Sequence, residues 1–242
     1  MGKILEIKEF SKSYDDDSKA VDNISLSINE GEIYGFIGHN GAGKSTTIKS
    51  VVGILPVRDG DIIVDGMSVR QSIKACQKKI GYIPDNPDIY DFMTGIDYIN
   101  FVADVYSSSS DERTARIEKY ATEFDILDDL GDLISSYSHG MKQKVSLIAA
   151  FVHHPKLLVL DEPFVGLDPK ASASLKKCMR ELCDEGGAIF FSTHVLEVAE
   201  KLCDKVGMLY KGSLIVDGNV SELTKDTSLE ELFLHALEVR HE

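Results

Sequence analysis

The chain has 242 residues, 43% of them hydrophobic, with 40 acidic against 26 basic side chains and a formal net charge of −14. That size and apolar content suit one large α/β domain, or one with a small insertion. The acidic balance argues against nucleic acid as the main partner, because binding there rests on neutralising phosphates, and against direct docking on anionic lipid. The longest apolar run, Leu147–Val152, falls far short of the roughly 20 residues that a bilayer span needs. The start reads as carrying no apolar leader. Cys76, Cys178, Cys183 and Cys203 form no C-x-x-C pair and read as ordinary thiols.

Residues 4–10 alternate apolar and polar and predict a first strand, followed by Tyr14 and a polar loop, residues 15–18. Residues 21–28 place Ile24, Leu26 and Ile28 on one face and Ser25 and Ser27 on the other, which is a half-buried strand. The apolar run 33–37 predicts a third strand. A helix follows with Ile48, Val51 and Val52 on one face, then a glycine-bounded strand at 60–66. Residues 70–79 predict a helix and 80–83 a strand. Two prolines, Pro84 and Pro87, make the next stretch a loop. From Thr94 to about Ser136 apolar positions recur at helical spacing, so residues 85–136 read as an all-helical insertion, with the serine run 107–110 linking two helices. Helices are expected at 138–153, 169–185, 195–203 and 228–238. Buried strands are expected at 157–160 and 188–191, and a hairpin at 205–217 turning at Tyr210–Ser213.

Strands alternating with helices predict a mostly parallel sheet with helices on both faces. The early antiparallel strands predict a small β-layer beside it. One domain spans 1–242 in this reading, with residues 1–84 and 137–242 as the core.

Gly38-His39-Asn40-Gly41-Ala42-Gly43-Lys44-Ser45-Thr46 fits the template G-x-x-x-x-G-K-[ST] between a strand and a helix. Glycines there let backbone N–H groups turn inward, and with the helix N-terminus they cradle phosphate oxygens. Lys44 would reach the terminal phosphates and the Ser45 hydroxyl would ligate Mg²⁺. Asp161 ends a buried strand and suits the same metal. Glu162 points elsewhere and is free to orient and deprotonate a water. His194 follows another strand end and can hydrogen-bond a terminal phosphate. In a parallel sheet these strand ends share the edge that holds the phosphate loop. Ser138 and Gly140 open a second helix, and its N–H groups are another anion grip. Either both grips hold one nucleotide within the chain, or the second holds a nucleotide bound by a partner chain.

Taken together, these ordered motifs resemble the ATP-binding subunits of ABC transporters over essentially the whole chain. Gly38–Thr46 matches Walker A, Tyr137–Met141 the signature, Leu157–Glu162 Walker B, Gly166–Asp168 the D-loop, and His194 the switch histidine. Residues 80–84, 137–143 and 229–233 look like bacterial drug, bacteriocin or lantibiotic exporters of the ABC-2 type. The resemblance implies a P-loop NTPase fold with an antiparallel β-layer and an inserted helical subdomain. It implies an ATPase using ATP and Mg²⁺, with Glu162 as general base, His194 beside it, and Tyr14 stacked on adenine. It also implies a head-to-tail homo- or heterodimer, in which Ser138, His139 and Gly140 close over the partner's nucleotide. Residues 85–135 would contact a separate membrane-spanning subunit, holding this chain at the inner face of the cell membrane. The sequence departs from the family at Tyr137, His139 and Met141 in the signature. It departs again at Asp85, which stands where the family has glutamine and can meet Mg²⁺ or its water. Two other readings are a soluble ABC-type ATPase and a low-turnover regulatory nucleotide-binding module.

Overall fold

The computed structural model describes residues 2–14, 19–106 and 110–238, with the side chains of residues 110 and 111 left undescribed. The predicted loop at 15–18 and most of the serine linker at 107–110 therefore lie outside the described residues. Six strands form the main sheet: β3 (Ile33–Ile37), β6 (Ile80–Ile83), β7 (Leu157–Asp161), β8 (Ala188–Thr193), β9 (Lys205–Tyr210) and β10 (Ser213–Asn219). Their order is β10-β9-β3-β8-β7-β6. All neighbours are parallel except the β9–β10 hairpin, whose turn falls where the sequence predicts it. The second sheet is antiparallel, in the order β2-β1-β4-β5, from β1 (Lys3–Ser13), β2 (Lys19–Asn29), β4 (Asp59–Val64) and β5 (Met67–Ser68).

Period-two alternation sorts the core. Tyr34, Phe36, Val159 and Phe190 face one side of the main sheet, against Ile7, Phe10, Ile24 and Ile28 of the antiparallel layer and Ile48 and Val51 of α1 (Lys44–Val51). Ile33, Ile37, Leu158, Leu160, Ile189 and Phe191 face the other side. There they meet α5 (His139–Val152) and α6 (Pro169–Asp184), which contribute Ile148, Phe151, Leu175 and Met179. The remaining helices are α2 (Val69–Gln77), α3 (Gly95–Val105), α4 (Ser110–Glu123), α7 (Leu196–Leu202), α8 (Val220–Leu223) and α9 (Leu229–Glu238).

Three local expectations are corrected. The strand predicted at 60–66 is present as β4 but stops at Val64, because Asp65 (φ 46°) and Gly66 (φ 77°) form a turn and β5 pairs back on β4. The insertion is helical only through α4. Asp125, at φ 56°, takes the chain out of the helix, and residues 127–129 and 134–136 form isolated 3₁₀ turns. The first two strands run longer than the alternation indicates. Their register shifts between Ile7↔Leu26 and Phe10↔Ile24, where Glu9 and Asn23 adopt positive φ.

α3 and α4 lie on α5. Thr94 caps α3, its hydroxyl accepting from the Asp97 N–H at 3.2 Å. Ile99, Ala103, Tyr120, Ala121 and Phe124 form the apolar face that seats the insertion on α5.

Candidate functional site

The C-terminal ends of β3, β7 and β8 carry the phosphate loop, Asp161-Glu162 and Ser192-Thr193-His194 respectively. The strands run parallel in adjacent positions, so these ends meet at one sheet edge. Gly43 precedes α1 at φ 109°, a backbone state that L side chains rarely adopt, and a Cβ there would run into the Ala20 carbonyl oxygen. No side chain caps α1, so its first-turn N–H groups are open to an anion. Within the loop the Ala42 N–H donates to the His39 carbonyl at 3.2 Å and the Gly38 N–H to the Thr193 carbonyl at 3.4 Å.

Lys44 is 5% exposed. Its Nζ donates to the Gly38 carbonyl at 2.6 Å and the His39 carbonyl at 3.4 Å, and lies 3.3 Å from Glu162 Oε1. The other Glu162 oxygen, Oε2, lies 3.0 Å from His194 Nδ1. A carboxylate only accepts, so Nδ1 carries the hydrogen in that bond. Glu162 itself sits at φ 49°, a left-handed state rare for its residue type. Its N–H donates to Ser192 Oγ at 3.0 Å, and Ser192 Oγ donates to Asp161 Oδ1 at 2.5 Å.

One cavity collects most of the predicted residues. Its walls include His39, Asn40, Gly41, Gly43, Lys44, Ser45 and Thr46 together with Asp85, Asp161 and Glu162. Ala20 is a wall residue that the sequence analysis does not single out. Asp85 turns one oxygen to the Asn86 N–H at 2.9 Å. Burial pushes the nearby Tyr82 hydroxyl up to about 12, and the charges of Asp161 and Asp85 add to it. Tyr14 is exposed and its hydroxyl lies 3.2 Å from Thr46 Oγ1, beside the loop rather than in the cavity wall. Among the described residues no group of three or more His, Cys, Asp or Glu side chains could hold a metal ion by itself. Mg²⁺ keeps several waters and takes only one or two protein oxygens beside substrate phosphates. The Ser45 hydroxyl and the Asp161 carboxylate supply hard oxygens of that kind in the same cavity wall.

Ser138, His139 and Gly140 are not walls of this cavity. Ser138 caps α5, its hydroxyl accepting from the Met141 N–H at 3.3 Å. His139 lies against the loop after Walker B, where Gly166, at φ 83°, would bring a Cβ within 2.9 Å of the His139 ring. The start of α5 thus stands apart from the cavity that the phosphate loop lines. Sequence reasoning missed Ser192. Its only signal is a hydroxyl at the end of an apolar strand, opposite Asp161 once the strand pairing is known.

A family profile described as "ABC transporter" matches residues 21–165. The ABC-type transporter ATP-binding protein EcsA of Bacillus subtilis is 33% identical over 236 residues, covering 96% of this chain and 95% of that protein. The bacitracin transport ATP-binding protein BcrA of Enterococcus faecalis is 33% identical, covering 92% of this chain and 71% of that protein. A solved structure of an ATP-binding subunit of an ABC transporter superposes with a TM-score of 0.92 at 33% identity, over 97% of this chain and 99% of that one.

Proposed function

Because the chain belongs to the ABC transporter family, we propose that it is the ATP-hydrolysing motor subunit of an exporter, driving a separate membrane-spanning subunit. The observation that carries the reading is the cavity in which the phosphate loop shares walls with Asp85, Asp161 and Glu162. Backbone N–H groups of the loop and the start of α1 bind the phosphates of ATP. Lys44 exchanges its Glu162 partner for the terminal phosphates. Ser45 and Asp161 would hold Mg²⁺, and Asp85 would reach the metal or its water. Bound there, the metal neutralises charge on the phosphates during transfer.

Once Lys44 turns to phosphate, Glu162 is left with His194 and is free to accept a proton from water. The water oxygen bonds to the terminal phosphorus, the bond to the ADP oxygen breaks, and Glu162 takes the proton. His194 holds the carboxylate through Nδ1 and keeps Nε2 for a phosphate oxygen. Tyr14 stacks on adenine. The separation of the two grips supports the intermolecular alternative, in which Ser138, His139 and Gly140 close over a nucleotide held by a second ATP-binding subunit, in a homo- or heterodimer. The whole chain acts as one nucleotide-binding domain, and residues 85–135 face the membrane subunit. Among the described residues no helix is long and apolar enough to cross a membrane, so attachment to the inner face of the membrane rests on that subunit.

Purification of the tagged chain from its native cells in mild detergent tests the assignment. The expected result is a polytopic membrane protein in the complex and ATP turnover in that complex. Ribosomal or nucleic-acid partners without a membrane protein would overturn the transporter reading. A complex that binds ATP without turning it over would overturn the motor.

A further inference from the structure

We propose that Ser192 is a positioning residue that orients the Asp161 carboxylate and holds the Glu162 backbone at the catalytic edge, and that its hydroxyl sets the affinity of the nucleotide site for Mg²⁺. The inference rests on the ATPase reading above and concerns a residue outside the recognised motifs.

Ser192 is fully buried on β8, directly across from Asp161 on β7. Its Oγ lies 2.5 Å from Asp161 Oδ1 and 3.0 Å from the Glu162 nitrogen. The direction of both bonds follows from chemistry. A backbone N–H only donates, so Ser192 accepts from Glu162. An ionised carboxylate only accepts, so the Ser192 proton goes to Asp161. The hydroxyl is thereby fixed in one orientation, and each bond polarises the other.

Two consequences follow. Asp161 is 3% exposed, and with Oδ1 committed to Ser192, Oδ2 is the oxygen left for a cation. Without that bond the carboxylate can rotate about its last torsion, which is soft. Glu162 leaves the strand at φ 49°, and its N–H, taken out of the ladder by that turn, finds its partner in Ser192. Two residues further along the same strand end, His194 holds Glu162 Oε2. The end of β8 therefore grips the Asp161-Glu162 pair at three atoms, and Ser192 supplies two of them. Partners of this kind behind metal ligands change metal affinity or activity by about 10–100-fold when removed.

The test titrates Mg²⁺ into the full-length protein with a fluorescent, non-hydrolysable ATP analogue, for the parent, Ser192→Ala and Ser192→Thr. In Ser192→Ala the Mg²⁺ half-saturation is expected to rise by about 10-fold or more, with binding of the metal-free analogue unchanged. Ser192→Thr keeps the hydroxyl and is expected to remain within about threefold of the parent. A Ser192→Ala half-saturation within about twofold of the parent overturns the proposal. Equal shifts in Ala and Thr also overturn it, because they would report packing rather than the hydroxyl. If Ser192→Ala does not fold, Ser192→Cys, which keeps the volume with a weak donor, is read against the same limits. Failure of the parent to bind the metal-free analogue would count against the nucleotide site itself, a result distinct from any change at Ser192.

Discussion

Replacing Glu162 with glutamine separates the observed contact of its carboxylate with Lys44 from its proposed role of accepting a proton. The Lys44–Glu162 pair is 3.3 Å apart with side chains 6% and 16% exposed. At that separation unit charges attract by about 5 kcal/mol at an effective dielectric constant of about 20. Desolvation of both groups offsets most of this, which leaves a net of about 1–2 kcal/mol. ATP must break the pair to take Lys44, so Glu162→Gln removes that cost. It also removes repulsion between the carboxylate and the terminal phosphate. At 1.4 kcal/mol per factor of ten, ATP should bind about 5–30-fold more tightly. Turnover should fall by about 10²–10⁴-fold, the usual contribution of a general base. Fluorescent-nucleotide titration reads the first effect and phosphate release the second. Weaker or unchanged ATP affinity would refute the competition for Lys44. Near-normal turnover would remove Glu162 as the base.

Lys44→Ala removes the cation that reaches the phosphates and should weaken ATP binding by about 100-fold, as loss of charge-assisted bonds does; unchanged affinity in the same titration would contradict the loop assignment. Gly43→Ala must hold alanine at φ 109° with its Cβ against the Ala20 carbonyl, so thermal unfolding should show a loss of about 1–2 kcal/mol or more, together with lost nucleotide binding. Burial pushes the His153 imidazole down from 6.5 to about 4. Its neutral form is favoured in the fold, so this contribution is intact above pH 6.5 and is lost as pH falls toward about 4. His153→Phe keeps a ring over Tyr106, where the centroids are 3.7 Å apart and the planes 2° from parallel. The acid slope of its melting temperature should therefore flatten, and an unchanged slope would place the titration elsewhere.

What the sequence made legible depended on how local the physics was. The phosphate loop could be read because its glycines and lysine act through a contiguous stretch between a strand and a helix. Asp161, Glu162 and His194 could be grouped because parallel strands bring their C-terminal ends to one edge. Ser192 could not, since its role exists only through the β7–β8 register and has no spacing in the chain. The end of the insertion was misread for a similar reason. Phe124, Ile126, Leu130 and Ile134 are all buried, but on the turns and 3₁₀ segments that follow α4 rather than on one helix face. The Lys44–Glu162 pair is equally hidden, because the sequence pairs Lys44 with the terminal phosphates and Glu162 with a water.

The start of α5 faces two ways, and the strengths of its contacts decide which way it is held. Lys142 Nζ reaches Asp91 at 2.5 Å, in the loop before α3, but these side chains are 27% and 60% exposed. A pair so exposed is worth about 0–1 kcal/mol and weakens with salt. The neighbouring Gln143 is 2% exposed, and its Nε2 donates to the Pro163 carbonyl at 2.9 Å. Breaking that bond would leave a buried amide and a carbonyl unpaired, a larger cost of about 1–3 kcal/mol. Lys144 adds a longer contact to Asp168 at 3.7 Å. The second turn of α5 is thus bound to the loop after Walker B through Gln143 and Lys144, while its body carries the insertion through apolar packing such as Tyr120 against Phe151, with ring centroids 5.2 Å apart. The insertion and the Walker B end are therefore joined through α5, by apolar packing on one side and a buried hydrogen bond on the other. The Asp91–Lys142 pair is too weak to be that link. The buried Gln143 amide lies on the route, one turn from the signature residues and one bond from the loop that follows Glu162.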